Sequence, residues 1–139
     1  MMIDSITVLN SVVGKRLQLI RDATRSNSIT SAEWKLLDLI EKGISTQEQL
    51  VKATDLAAST ISRQIKKCFE KKLVRTCAID VDHRKIEYYL TEDGAIVLKR
   101  VNKLVDEINK KMFSHWTDEE ISMFNILANR ILRNLNITG

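Results

Sequence analysis

Two short basic segments of this chain are the best suited to binding a negatively charged partner. The first runs from Ala58 to Lys72, and the second from Asp82 to Thr91. Drawn as a helix at 100° per residue, the first segment has one apolar face and one polar, mainly cationic face. The apolar face carries Ile61, Ile65, Cys68 and Phe69, and the opposite face carries Ser59, Arg63, Lys66 and Lys67.

The positive charge of the chain is concentrated in the same region. The whole sequence has 22 Lys and Arg against 18 Asp and Glu, a net charge of +4. Residues 58–85 hold eight of the basic residues but only three of the acidic ones, so the rest of the chain is close to neutral. Such a patch predicts a polyanionic partner, because neutralised phosphates release counterions. Lysine-rich helix faces are also often simply solvated, and charge alone does not separate the two interpretations.

The composition of the 139 residues, with 44% hydrophobic and 29% charged, predicts a single globular domain over residues 1–139. The sequence has neither a long uninterrupted apolar segment nor an export signal, so we expect a cytoplasmic protein without a membrane partner. Its two cysteines, Cys68 and Cys77, are then expected to be reduced, buried structural thiols. His83 and His115 lack the spacing of a metal site, and no catalytic motif is present. We therefore expect no enzyme activity, cofactor or metal.

Apolar spacing and capping signals predict a mainly α chain with one small β-hairpin, the wing. Helix-turn-helix elements precede the wing, and long amphipathic helices flank the whole unit. The capping boxes are expected at Thr30–Glu33, Ser45–Glu48 and Thr117–Glu120, and the strands at Leu73–Ile79 and Ile86–Leu90. The apolar faces of the terminal helices must pack against other residues, either those of their own chain or those of a second copy. A second copy is favoured, because a compact winged helix is complete without them.

At this point the sequence resembles the MarR family of bacterial transcriptional regulators. The order and spacing of the matching segments extend over nearly the whole chain, and the wing signature, D-x-R followed after five residues by L-T, is the most specific part. The matching segments are Ile29–Trp34, Ser59–Arg63, Leu73–Arg75, Asp82–Arg84 and Leu90–Thr91.

The resemblance implies a winged helix-turn-helix over about residues 30–95 and dimerisation helices over about 1–28 and 96–139. It implies a homodimer that binds a palindromic operator in double-stranded DNA, in most cases as a repressor. A small-molecule effector in the cleft between the dimer helices and the DNA-binding heads would change the spacing of the heads. The alternative is a winged helix that serves as a protein-interaction or dimerisation module without specific DNA readout.

The same resemblance assigns roles to individual residues. Bases would be read near the start of the basic helix by Ser59, Thr60, Ser62 and Arg63, while Lys66 and Lys67 are placed for phosphates. Thr46 and Gln47 also start a helix close enough to reach phosphate. In the wing, Arg84 would enter the minor groove beside Lys85, with Asp82 orienting Arg84.

Two positions depart from the family pattern. Lys72 stands where glycine is common, and a non-glycine residue forced to positive φ there costs about 1 kcal/mol. Ala57 occupies the cap position before the basic helix, which forgoes about 1 kcal/mol of capping energy.

Overall fold

The structure is a computed structural model, and it describes residues 2–78 and 85–137, with side chains from Asp4 onward. This part of the chain forms six helices and one antiparallel pair of strands, as the sequence predicted. The elements are α1 (Met2–Arg25), α2 (Ser31–Glu41), α3 (Gln47–Thr54), α4 (Ala58–Glu70), β1 (Val74–Ala78), β2 (Ile86–Leu90), α5 (Glu92–Met112) and α6 (Asp118–Asn136).

The chain divides into two compact units, Met1–Val105 and Asp106–Gly139. The core of the first unit consists of the apolar faces of α2, α3, α4 and the first part of α5, together with the end of α1. Its most deeply buried side chains are Leu36, Leu37, Leu50, Ile61 and Val101. Among the described residues, no helix combines the length and apolarity that a membrane crossing needs.

Capping boxes begin three helices, and two of them are at the predicted positions. The Thr30 hydroxyl accepts a hydrogen bond from the Glu33 amide, and the Glu33 carboxylate accepts one from the Thr30 amide. Thr117 and Glu120 form the same arrangement at α6. Each box satisfies amides that the first helical turn leaves without an acceptor.

The predicted capping box of α3 is wrong by one residue. The box consists of Thr46 and Gln49, rather than Ser45 and Glu48. Ser45 is buried, and its hydroxyl donates to Glu87 Oε1 over 2.9 Å, so this hydroxyl is committed to the wing. The capping patterns S-x-x-E at Ser45–Glu48 and T-x-x-Q at Thr46–Gln49 overlap, so the local sequence does not decide which of them forms the box.

The chain passes from α4 into the wing through a tightly bonded junction formed by Lys71, Lys72 and Leu73. Lys72 has a φ of +61°, as its glycine-like position predicted. Thr91 contacts this junction twice, because its hydroxyl donates to the Lys72 carbonyl over 2.7 Å and its amide donates to the Leu73 carbonyl over 3.0 Å. Gly94 lies so close that an added Cβ would overlap the Leu73 carbonyl oxygen. The junction therefore fixes the start of α5 against the base of the wing.

The terminal helices leave apolar side chains exposed in their own units. In α1, Ile20, Ala23 and Thr24 are buried near its end, while Ile6, Leu9, Val13 and Leu17 are exposed. In α6 no described side chain is buried. The exposed apolar residues of α6 include Phe124, Leu127, Ile131 and Leu135.

Replacing Lys72 by glycine should stabilise the protein by about 1 kcal/mol, because glycine adopts positive φ without the steric cost that a Cβ imposes. Urea unfolding of both proteins measures the difference. Lys99→Gly is the control, since Lys99 is an exposed residue inside α5 and its replacement should instead destabilise by about 1 kcal/mol. An equal loss in both variants would contradict the assignment of strain to Lys72.

Candidate nucleic-acid interface

Helix α4 separates its residues into a packed face and an exposed face, as the sequence predicted. Ile61, Ile65 and Cys68 are buried, and Phe69 is half-buried against Tyr88 of the wing. We call the exposed face of α4 the reading face; it comprises Ser59, Ser62, Arg63, Lys66 and Lys67. Thr60, also predicted to read bases, is half-buried at the edge of this face.

The first turn of α4 differs electrostatically from that of the other helices in the described chain. Ala57 adopts the extended cap conformation but supplies no side-chain hydrogen bond, as predicted. The first turn of α4 contains no acidic residue, whereas the other five helices each have at least one. The amides and the positive end of the helix dipole thus meet no protein carboxylate within that turn. This arrangement favours an approaching anion.

Gln47 supports the reading face from the neighbouring helix. Its side-chain amide donates to the Ser62 hydroxyl over 2.8 Å and to the Ala58 carbonyl over 3.3 Å. Its Nε2 therefore fixes α3 to the first turns of α4, and the expectation that the start of α3 reaches phosphate stays a prediction. Thr46 likewise uses its hydroxyl to accept from the Gln49 amide. No sequence signal indicates that a glutamine at the start of α3 contacts residues eleven and fifteen positions later.

The base of the wing is bonded to the loop before α3. β1 and β2 pair in the register Val74–Leu90 to Ala78–Ile86. Glu87 accepts from the Ser45 hydroxyl through one carboxylate oxygen and from the Tyr89 hydroxyl through the other, both over 2.9 Å. The Tyr88 amide also donates to the Ser45 carbonyl over 2.8 Å. These bonds place the wing strands in a fixed position beside α3 and α4.

Three of the predicted wing residues, Asp82, His83 and Arg84, lie outside the described residues. Lys85 is described, and it is exposed at the start of β2. It lines an open groove of about 540 Å³ between the wing and α3, together with Lys52 and Tyr88. The structure thus brings Lys85 to the wing edge that faces α3. The roles of Asp82 and Arg84 stay predictions from the sequence.

The two cysteines have different environments, and the expectation that both are buried is wrong for Cys77. Cys68 is fully buried in α4, and burial raises the pKa of its thiol to about 12, with a further increase from the Glu33 carboxylate and an opposing effect of Lys71. Cys77 is exposed on β1. In the two-stranded sheet only Val74 of β1 is buried, so the outer part of this strand has no core to pack against.

Comparisons with known proteins agree on the architecture. No protein-family model matches the sequence. Among solved structures, a mutant of MarR from E. coli in complex with operator DNA is 21% identical, with a TM-score of 0.76 over 94% of this chain and 95% of that chain. The chain has the MarR fold.

Two further structures with the MarR fold match to a similar extent. MepR from S. aureus, in a complex with DNA, is 18% identical, with a TM-score of 0.78 over 93% of this chain and 94% of that chain. A MarR-family transcriptional regulator from Silicibacter pomeroyi is 22% identical, with a TM-score of 0.73 over 96% and 91% of the two chains. The predicted winged helix-turn-helix fold with long terminal helices is therefore confirmed.

The two thiols should differ sharply in reactivity. At neutral pH we expect a chromogenic aromatic disulfide to modify one thiol per native chain and two after denaturation, because the pKa of Cys68 near 12 keeps that thiol protonated. Cys77→Ser should abolish the native reaction, and Cys68→Ser should leave it unchanged. Rapid modification of Cys68 in the native protein would contradict its burial.

Proposed function

We propose that this chain is a MarR-family transcriptional regulator that binds double-stranded DNA as a homodimer and represses transcription from a palindromic operator. The observation that carries the proposal is the reading face, a cationic surface on a helix whose opposite side is fully packed. Solved structures of MarR and MepR with the same fold contain DNA, which supports DNA as the partner. The proposal assigns no catalytic step to the chain and implies a cytoplasmic location, where its DNA partner lies.

In this proposal the residues of the reading face divide into two groups. Ser59, Ser62 and Arg63 lie in the first turns of α4, where a helix that enters the major groove meets base edges, and Arg63 can bind guanine through two hydrogen bonds. Lys66 and Lys67 follow about one turn later and are suited to phosphates, which position the protein without carrying sequence information. Arg84 and Lys85 extend the contact from the wing into the adjacent minor groove.

The exposed apolar residues of α1 and α6 support the homodimer. A run of exposed leucine, isoleucine and phenylalanine side chains on two helices is a typical interface signal, since large exposed apolar patches are rare on monomers. A two-fold dimer presents two identical reading helices, and half-sites one duplex turn, about 34 Å, apart would then match them. Two-fold symmetry of the protein thus predicts two-fold symmetry of the operator.

An open groove of about 580 Å³ is a candidate place for the small-molecule effector. It lies between the loop after α1, the α4–wing junction and the first half of α5. Its lining combines apolar Ile29, Leu73 and Ile96 with the cationic side chains of Lys71 and Arg100. A ligand there would contact the junction that connects α4 to the wing. Its binding would therefore change the position of the wing relative to α4.

The homodimer is tested by light scattering. We expect the mass of two chains for the wild-type protein, and a monomer for a Leu17→Glu, Ile131→Glu variant, because an apolar contact cannot accept buried unpaired charges. Ile86→Glu is the matched control, since Ile86 is an equally exposed apolar residue that lies in the wing. A wild-type monomer at micromolar concentration would exclude the proposed dimer.

DNA recognition is tested by selecting bound duplexes from a random library at two salt concentrations. We expect a two-fold symmetric site and an affinity that falls steeply with salt. Arg63→Ala should relax preference at one base per half-site by about 1 to 3 kcal/mol, and Arg84→Ala should weaken binding across A/T-containing sites. Lys67→Ala should weaken binding to all sequences equally, and it should lower the slope of log affinity against log salt concentration by about 1.

The control variant for this selection is Lys99→Ala, which removes a lysine from the exposed side of α5 and should change neither affinity nor preference. Failure to enrich any sequence, with no salt dependence, would reject DNA binding. It would favour the protein-interaction module, because a surface without phosphate contacts has no counterions to release.

A further inference from the structure

An ion pair between the buried Glu33 and the partly exposed Lys71 joins the end of α4 to the start of α2. Lys71 Nζ lies 2.6 Å from Glu33 Oε1, and it also donates to the Ser28 carbonyl over 3.1 Å. The Glu33 side chain is only 1% exposed, whereas that of Lys71 is 38% exposed. The lysine therefore extends from the junction after α4 to the α1–α2 loop and the first turn of α2.

The capping role of Glu33 does not explain its charge. Its Oε1 accepts from the Thr30 amide to close the capping box, but Gln49 does the same at α3 with a neutral amide oxygen. A buried carboxylate is costly to desolvate, and Glu33 Oε2 has no hydrogen-bond partner among the described residues. A glutamine would cap α2 without that cost. The charge is useful at this position chiefly for its attraction to Lys71.

Lys71 is well placed to control the direction of the wing. It is the C-cap of α4 and directly precedes Lys72 and Leu73, whose carbonyls accept hydrogen bonds from Thr91. The junction is thus fixed on one side by α5 and on the other by the Glu33–Lys71 pair. Without the pair, the contact with Thr91 would remain, but the end of α4 would lose its charged attachment to α2.

We propose that Glu33 and Lys71 are a positioning pair that sets the angle between the reading helix and the wing, so that both engage one half-site together. This inference rests on the proposed function for its effect on DNA. Neither side chain contacts DNA in this mechanism. The pair acts by preorganisation, since a surface that is already in its bound geometry loses less conformational freedom on binding.

The test uses a Glu33→Gln, Lys71→Met double variant. Replacing Lys71 alone would leave the buried Glu33 carboxylate without a charged partner and can simply unfold the protein, whereas the double variant removes both charges and keeps the cap. Lys71→Arg is the conservative variant that retains the charge. The matched control is Asp38→Asn, Lys42→Met, which removes the 2.8 Å ion pair between half-buried Asp38 and exposed Lys42 at the end of α2.

The first measurement does not depend on DNA. A nitroxide on the exposed thiol of Cys77 in β1 broadens nearby amide signals of α4 in NMR spectra, and the pattern of broadening reports the position of the wing relative to the helix. We expect the wild-type protein, the control and Lys71→Arg to share one pattern. The double variant should give a different and more uniform pattern while circular dichroism shows that it is folded.

The second measurement compares affinity for the selected operator with affinity for a random duplex. We expect the double variant to lose about tenfold in operator affinity with little change on random DNA, and Lys71→Arg to retain most of the affinity. A folded double variant with the wild-type broadening pattern, or with unchanged operator affinity, would overturn the inference. If the wild-type protein selects no operator, the proposed function fails, and the broadening pattern alone decides whether the pair sets the angle.

Discussion

The bonding around the α4–wing junction is the constraint on which the rest of the winged-helix unit depends. Thr91 donates to two successive carbonyls there, and Gly94 allows the start of α5 to approach the Leu73 carbonyl. Lys72 adopts a left-handed conformation that turns the chain from the helix into β1. This geometry determines where the wing begins relative to the reading face, because β1 starts at Val74, directly after the junction.

Features governed by local sequence were predictable. The packed and exposed faces of α4 and the missing cap at Ala57 each depend on a few neighbouring residues, and the structure has both. The positive φ of Lys72 was indicated instead by the resemblance, because glycine is common at that position in the family. Local reasoning was wrong where a distant contact competes with a local pattern. Ser45 matched a capping signal, but its hydroxyl is bonded to Glu87, 42 residues later in the sequence.

The contacts that sequence reasoning missed share this non-local character. Glu33 was fully explained by its capping box, so nothing in the sequence indicated a second partner 38 residues away. At the start of α3, Gln47 donates its side-chain amide to Ser62, fifteen residues later, and no local pattern indicates that contact. The expectation that Cys77 is buried is wrong, because a two-stranded sheet covers little of its own surface.

Helix α4 forgoes stability at its start. A serine at position 57 would add about 1 kcal/mol, but its hydroxyl would also bond one of the first amides of α4. An acidic first turn would stabilise the helix further, yet it would place negative charge where a phosphate must approach. The other helices, which have no such partner in the proposed mechanism, carry acidic first turns. A weakly capped, positively charged helix start is therefore the arrangement that DNA binding favours over stability.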